Sequence, residues 1–407
     1  MSSGRVVIVG GGLAGLRTAE RLRRMGHTGP VTLIGAEPWH PYDRPPLSKG
    51  LLVKDEEPAP VLLRPIDAYA ELDLDLRLGT RAIGLDPRTR CVALHDGSEV
   101  RYDRLVIATG ARARTIPEWQ RFANVYVLRT WEDCLSLRFA LRAARHVTVV
   151  GAGVLGCEIA ASARALGLAV TLLDELPSPM LRVLGPRLGG VAAELHRSHG
   201  VDVRVGCAVE RLDGDTTVEA VVTRDGDRIP TDLVVLAIGS VPETEWLAES
   251  GVDIDDGVVC DATGKTSLPD VYAVGDVARM PYPGSRRSVR LEHWTSAADT
   301  ATLVASNLLA PPGQERTLSE VPYFWSDQYD VKIQGMGVPE ADDELVIATG
   351  ELDARRFLAL YVSAGRVQAA VTMNMPAALA RCRTAVATHA PIDELLEQAP
   401  WTPRRTT

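Results

Sequence analysis

Along this chain, apolar residues gather into short unbroken runs, and several of these runs lead into glycine and then into a stretch of helical periodicity. Val6-Val7-Ile8-Val9 runs into Gly10-x-Gly12-x-x-Gly15, and His146-Val147-Thr148-Val149-Val150 runs into Gly151-x-Gly153-x-x-Gly156. A short, wholly apolar run bounded by turn residues reads as a strand buried on both faces, the kind found in parallel sheets. Each glycine turn is followed by an amphipathic helix and then by a second apolar strand that ends in acid. The first is Val31-Thr32-Leu33-Ile34-Gly35-Ala36-Glu37 and the second is Ala169-Val170-Thr171-Leu172-Leu173-Asp174-Glu175. Two more buried-type strands close the pattern, Arg104-Leu105-Val106-Ile107 before Ala108-Thr109-Gly110 and Leu233-Val234-Val235-Leu236 before Ala237-Ile238-Gly239. One architecture is therefore used twice.

The rest of the chain is organised around these two copies. Thr80 to Leu94 reads as short strands with a turn at Asp86-Pro87, and Ala111 to Pro117 as a linker of small and basic residues. A strand ending in Val274-Gly275-Asp276 precedes a helix-like stretch from Thr295 to Leu309, and Pro311-Pro312-Gly313 then breaks the chain. From about Leu318 the texture changes to alternating strands, including Arg356 to Tyr361 and Arg366 to Thr372, with a last helical stretch from Pro376 to about Ala387. The predicted fold class is α/β: two Rossmann-like dinucleotide-binding domains plus a small C-terminal α+β domain. The boundaries are 1–112 and 239–317 for the first domain, 113–238 for the second and 318–407 for the third.

The glycine spacing carries chemistry. The first glycine permits the tight turn out of the strand, the second lets a pyrophosphate approach the backbone, and the third lets helix and strand pack closely. The phosphates then sit at a helix N-terminus, where unpaired N–H groups point. The acid at the tip of the next strand binds a ribose hydroxyl. Strand, spacing and acid match twice, so the chain is expected to hold two dinucleotides, one passing electrons to the other.

Length and charge bound the alternatives. The 407 residues are too many for one core. With 46% hydrophobic and 24% charged residues the chain is globular, and a net charge of −9 argues against a nucleic-acid binder. No apolar run reaches membrane-spanning length. Met1-Ser2-Ser3-Gly4 leads straight into the first strand, so a signal peptide is not expected and the protein is expected to be cytoplasmic. Cys91, Cys134, Cys157, Cys207, Cys260 and Cys382 are scattered and read as reduced buried thiols. His196 and His199, at helical spacing without a Cys or acid partner, read as a solvated helix face rather than as metal ligands. No metal is expected.

The combination resembles the FAD-dependent, NADH-using ferredoxin reductases that feed oxygenases, within the glutathione-reductase-like flavoproteins. It rests on both fingerprints, on Pro41-Tyr42-Asp43-Arg44-Pro45-Pro46-Leu47-Ser48-Lys49, on Ala108-Thr109-Gly110, on Val274-Gly275-Asp276 and on Tyr323-Phe324-Trp325-Ser326-Asp327-Gln328. The resemblance implies FAD at the first fingerprint, with Gly10, Gly12, Leu13, Ala14 and Gly15 at the pyrophosphate and Ala36 and Glu37 at the adenosine ribose. It adds Arg44, Lys49, Ala82, Ala108, Thr109, Gly110, Arg129, Gly275, His293, Trp294 and Trp325 to the FAD set, and Asp276 at the ribityl chain. NADH would take Gly151, Gly153, Val154, Leu155, Gly156, Glu158, Asp174, Glu175, Ile238 and Gly239. Thr295 or Ser296 is expected to cap the following helix, whose N-terminus carries about half a positive charge. Relatives pair a lysine such as Lys49 with a glutamate such as Glu158 near the flavin, which makes these two the implied catalytic residues; as a helix residue alone, Glu158 reads as a first-turn acid.

The implied reaction takes hydride from NADH onto FAD and passes single electrons to a 2Fe–2S ferredoxin that supplies an oxygenase. Disulfide reductases of this superfamily need a cysteine pair beside the flavin, and the segment from Trp39 to Gly50 has no cysteine. Rubredoxin as carrier, an NADH oxidase and a redox-sensing flavoprotein are the alternatives. The ferredoxin is expected to be an acidic, transient partner, steered by Arg279, Arg286, Arg287 and Arg290 and by Arg381 and Arg383. The chain itself is expected to be a monomer or a weak homodimer. The acidic tip Asp174-Glu175 has no basic residue after it until Arg182. An acid there repels a 2′-phosphate. The catalytic efficiency with NADH is therefore expected to exceed that with NADPH by about tenfold or more; equal efficiencies in steady-state assays contradict the assignment.

Overall fold

The computed structural model describes residues 4–283, 285–399 and 401. The chain divides into two compact units, one made of Met1–Asp43, Pro60–Arg112 and Val241–Phe324, the other of Arg44–Ala59, Ala113–Ser240 and Trp325–Thr407.

The first unit is built on a parallel sheet of five strands in the order Val271–Ala273, Arg104–Ile107, Val6–Val9, Val31–Ile34 and Leu74–Arg77. Val6 and Ile8 face one way and join Leu33, Val106, Ala19, Leu22, Val304 and Leu308 in one cluster, which buries the helices Leu13–Arg24 and Trp294–Leu309 on that face. Val7, Val9, Ile34, Leu105 and Ile107 face the other way, onto the short antiparallel strands Ala82–Asp86, Cys91–Leu94 and Glu99–Arg101. Both faces are covered, which is why these strands are unbroken apolar runs rather than alternating ones. Each such side chain contributes about 1.5–3 kcal/mol on leaving water.

The second unit repeats the plan with a five-stranded parallel sheet ordered Val201–Val205, Ala169–Asp174, His146–Val150, Leu233–Leu236 and Val125–Tyr126. The helix Val154–Ala165 is buried along almost its whole length. The same unit carries an antiparallel sheet ordered Tyr323–Gln328, Val331–Gly337, Arg366–Met373, Arg356–Ser363 and Glu344–Glu351. The fold class read from the pattern is the one observed.

The helix Leu181–Ser198 is kinked where Gly185 takes φ 61° before Pro186. The buried Tyr361 hydroxyl donates to the Leu184 carbonyl at that break, at 2.6 Å. The expected helix over Pro376 to Ala387 is two short ones, Pro376–Arg381 and Arg383–Ala387, and a third, Ile392–Gln398, follows without having been anticipated.

Both fingerprint turns are held by contacts that exclude any side chain. Gly10 has φ 129° and Gly151 φ 101°, and a Cβ at either would strike a carbonyl oxygen of the neighbouring strand's end, Ala108 or Ala237. A Cβ on Gly15 or Gly156 would run into the carbonyl of Gly10 or Gly151. These are the close helix–strand approaches the spacing requires.

Candidate active site

In the first unit, the helix Leu13–Arg24 starts at Gly12 with no side-chain cap and no acid in its first turn. A Cβ on Gly12 would meet nothing within 4 Å, so the space before these N–H groups is open. Gly275 lies against this turn: a Cβ there would come within 2.9 Å of the Ala14 Cβ. Glu37 accepts the Tyr42 hydroxyl at 2.5 Å, and Thr109 donates to the Glu243 carbonyl at 2.8 Å. Ala82 packs half-buried against the core of the same unit. Asp276 sits within the single turn Gly275–Val277, with Val274 at the cap position.

The helix Trp294–Leu309 begins one residue earlier than expected, with His293 at its cap position and no side-chain cap bond. Thr295 and Ser296 therefore lie inside the helix, and the Thr295 hydroxyl donates to the Tyr323 carbonyl at 2.6 Å instead of capping. The Trp294 indole N–H donates to Asp43 at 2.7 Å. Burial lowers the His293 pKa to about 4, and its Nδ1 is a buried atom without a hydrogen-bond partner among the described residues. An uncapped, open helix start and an unpaired buried ring nitrogen fit a bound polar group such as FAD.

The second unit shows the same cradle. The helix Val154–Ala165 starts at Gly153, uncapped, with nothing within 4 Å of a Cβ placed there, and Val154 and Leu155 supply its first N–H groups. Asp174 accepts the backbone N–H of Ala152 at 2.6 Å and of Leu176 at 2.8 Å, which ties the glycine turn to the strand tip. A carboxylate has about four acceptor sites, so lone pairs remain for a ribose hydroxyl. Glu175 beside it is exposed. Gly239, φ 99°, follows Ile238 past the end of the next strand and accepts from the Arg114 N–H at 2.9 Å.

Lys49, Arg44, Arg129 and Trp325 belong to this second unit, whereas the other FAD candidates belong to the first. Arg44 donates to the Arg129 carbonyl, and Asp133 of the Thr130 capping box accepts the Arg129 N–H at 2.9 Å. Trp325 is half-buried on the strand Tyr323–Gln328.

Lys49 sits between the turns Pro45–Ser48 and Gly50–Val53, and its Nζ lies 2.7 Å from Glu158 Oε2 and 3.1 Å from the Pro45 carbonyl. Glu158 is 5% exposed and lies beyond the first turn of its helix, so it is a buried partner rather than a dipole-complementing acid. Three donors among the described residues reach it: Lys49, the Ser48 hydroxyl at 2.5 Å and the Ser326 hydroxyl at 2.7 Å. A buried carboxylate is tolerated only when paired and hydrogen-bonded in this way.

Ser326 was not a site candidate, and neither was Gln328 behind it. His196 is a correction. It is fully buried, not on a solvated face, with Nε2 3.1 Å from Gln328 Oε1 and Nδ1 2.9 Å from the Tyr329 hydroxyl. His199 is partly buried and stacks on Tyr329 at 3.7 Å between ring centroids. No cluster of His, Cys, Asp or Glu among the described residues could hold a metal ion. Five of the six cysteines are buried and all are free. No helix among the described residues is long and apolar enough to cross a membrane.

Residues 4–301 match the pyridine nucleotide-disulphide oxidoreductase family, and residues 323–400 match the reductase C-terminal domain. Rhodocoxin reductase of Rhodococcus erythropolis is 35% identical over 389 residues, covering 95% of this chain and 90% of that protein. The ferredoxin–NAD(+) reductase component of the biphenyl dioxygenase system of Paraburkholderia xenovorans is 37% identical over 372 residues, covering 91% and 90%. The crystal structure of the covalent putidaredoxin reductase–putidaredoxin complex superposes with a TM-score of 0.91 at 35% identity, covering 97% of this chain and 96% of that one. The chain belongs to the pyridine nucleotide-disulphide oxidoreductase family. It is an oxidoreductase that uses FAD and NAD(H).

Burial lowers the His196 pKa from 6.5 to about 4. The unfolded chain takes up this proton first, so stability held above the unfolded value is lost as the pH falls toward the folded one. Urea midpoints should therefore drop more steeply between pH 7 and pH 5 for the wild type than for His196→Gln, about these two pH values; parallel losses contradict the buried neutral ring.

Proposed function

We propose that this chain is an NADH:ferredoxin reductase, in which the first fingerprint holds FAD, the second holds NADH, and a 2Fe–2S ferredoxin carries the electrons to an oxygenase. When bound, FAD supplies the exchange between a two-electron donor and a one-electron acceptor. The chain's own residues bind, orient and polarise. Gly12 and Gly153 leave open helix starts for two pyrophosphates. Glu37 takes the FAD ribose, and Asp174 and Glu175 take that of NADH.

The observation that carries the reading is the pairing of the buried Glu158 with the half-buried Lys49, which lies in the cysteine-free segment 39–50. Lys49 fixes a positive charge, and Glu158 fixes the lysine. A preorganised cation of this kind costs no reorganisation when negative charge develops beside it. Without a thiol to leave through, electrons must go to an external carrier.

For the carrier, the arginines of this segment divide by exposure. Arg279 is paired with Asp255, and Arg290, 9% exposed in its side chain, is paired with Glu292 at 2.7 Å and Asp256 at 3.5 Å. Arg286 and Arg287 are exposed, as are Arg381 and Arg383 in the other unit. An acidic ferredoxin docks through positive charge that is exposed to solvent.

Lys49→Met should slow flavin reduction by NADH about tenfold to a hundredfold while FAD stays bound, read by anaerobic stopped-flow absorbance; unchanged kinetics remove Lys49 from the mechanism. Charge reversal at Arg286 and Arg287 together should raise the apparent KM for ferredoxin about severalfold and flatten its salt dependence. If neither moves, this segment is not the docking site.

A further inference from the structure

The Glu158 carboxylate ends a chain of buried polar groups whose direction is forced link by link. Ser326 gives its only proton to Glu158 Oε1, 2.7 Å away, because a carboxylate only accepts. Its oxygen is left as an acceptor, and Gln328 Nε2 donates to it at 3.0 Å. The same amide nitrogen reaches Met180 Sδ at 3.4 Å, another acceptor, which fixes the orientation of the amide. Gln328 Oε1 therefore faces His196 Nε2 at 3.1 Å, and the imidazole proton must be on that nitrogen. Nδ1 is then free to accept the Tyr329 hydroxyl at 2.9 Å. Burial keeps the ring neutral, in keeping with a single ring proton.

Every donor in the series Tyr329, His196, Gln328, Ser326 points toward Glu158. Ser326, Gln328 and His196 are fully buried, so no water competes for these bonds. Ser326 and Gln328 stand two apart on the strand Tyr323–Gln328 and share one face, while Trp325 and Asp327 take the other. The second oxygen of Glu158 is held by Lys49 at 2.7 Å and Ser48 at 2.5 Å. With Oε1 anchored from the C-terminal strand, Oε2 has one direction in which to hold the ammonium.

We propose that Ser326 and Gln328, backed by His196, are positioning residues for the reaction with NADH: they fix the Glu158 carboxylate and, through it, the Lys49 ammonium. The inference rests on the reading of Lys49 and Glu158 given above. It gives the C-terminal segment a part in accepting electrons from NADH, in addition to any part in docking a carrier.

The test is anaerobic stopped-flow reduction of the flavin by NADH in the FAD-loaded full-length protein. Ser326→Ala should lower the limiting rate about tenfold, the worth of one hydrogen bond to a charged group, and Gln328→Met, which removes a neutral bond one link back, about threefold, with the Kd for NADH unchanged within about twofold in both. Ser326→Thr, which keeps the hydroxyl, should restore the rate. Should Ser326→Ala fail to fold, the near-isosteric Ser326→Cys, a much weaker donor, is read in the same way. In a Glu158→Gln background, Ser326→Ala should slow the reaction no further, because its effect passes through the carboxylate. Full multiplication of the two effects, or an unchanged limiting rate in Ser326→Ala with Glu158→Gln slowed, overturns the inference alone. Unchanged reduction in both Glu158→Gln and Lys49→Met overturns the reading of the pair and this inference with it.

Discussion

At the third glycine of each fingerprint a carbonyl oxygen occupies the position where a side chain would begin. Gly15 packs onto the carbonyl of Gly10, and Gly156 onto that of Gly151. The rest of each nucleotide unit follows from that approach. It brings the helix start up to the end of the central strand, turns the first unpaired N–H groups toward open space, and sets the acid at the tip of the next strand beside the turn. In the second unit, Asp174 makes the link physical by accepting from Ala152 inside the glycine turn. One larger residue at either position would push helix and strand apart, and the phosphate cradle and the ribose acid would lose their common frame.

The electrostatics of the second unit are arranged around one buried carboxylate. Leaving either oxygen of the buried Glu158 without a donor would cost about 1–3 kcal/mol or more, and donors meet both. Such a pair is weak evidence for stability, since an apolar substitute of similar volume would often serve as well. Its value lies in holding a charge in one place. The carboxylate and its donors come from three distant stretches of chain: the helix that bears Glu158, the loop at Ser48 and Lys49, and the strand that bears Ser326.

The two nucleotide folds were legible because their signals are local: an apolar run, a glycine spacing and an acid all fall within a few tens of residues. The polar chain was not. His196 and His199 stand three apart and look like a solvated face, yet the partners of His196 are Gln328 and Tyr329, 132 and 133 positions away. Ser326 and Gln328 were noticed only as neighbours of Trp325, because nothing in a strand's alternation says which face meets a charge. The cap expected at Thr295 or Ser296 failed for a smaller reason. The helix starts at Trp294, and Thr295 finds the Tyr323 carbonyl instead. The helix Ile392–Gln398 is too short for its periodicity to stand out from a loop.

In the proposed reaction, electrons enter from NADH and leave one at a time to an iron–sulfur carrier. Anaerobic mixing of the FAD-loaded protein with NADH, then with oxidised 2Fe–2S ferredoxins and rubredoxin, tests it directly by absorbance. The expected result is rapid bleaching of the flavin band followed by rapid reduction of a ferredoxin. Bleaching with no onward transfer to any carrier, or protein that takes up no flavin, would contradict it.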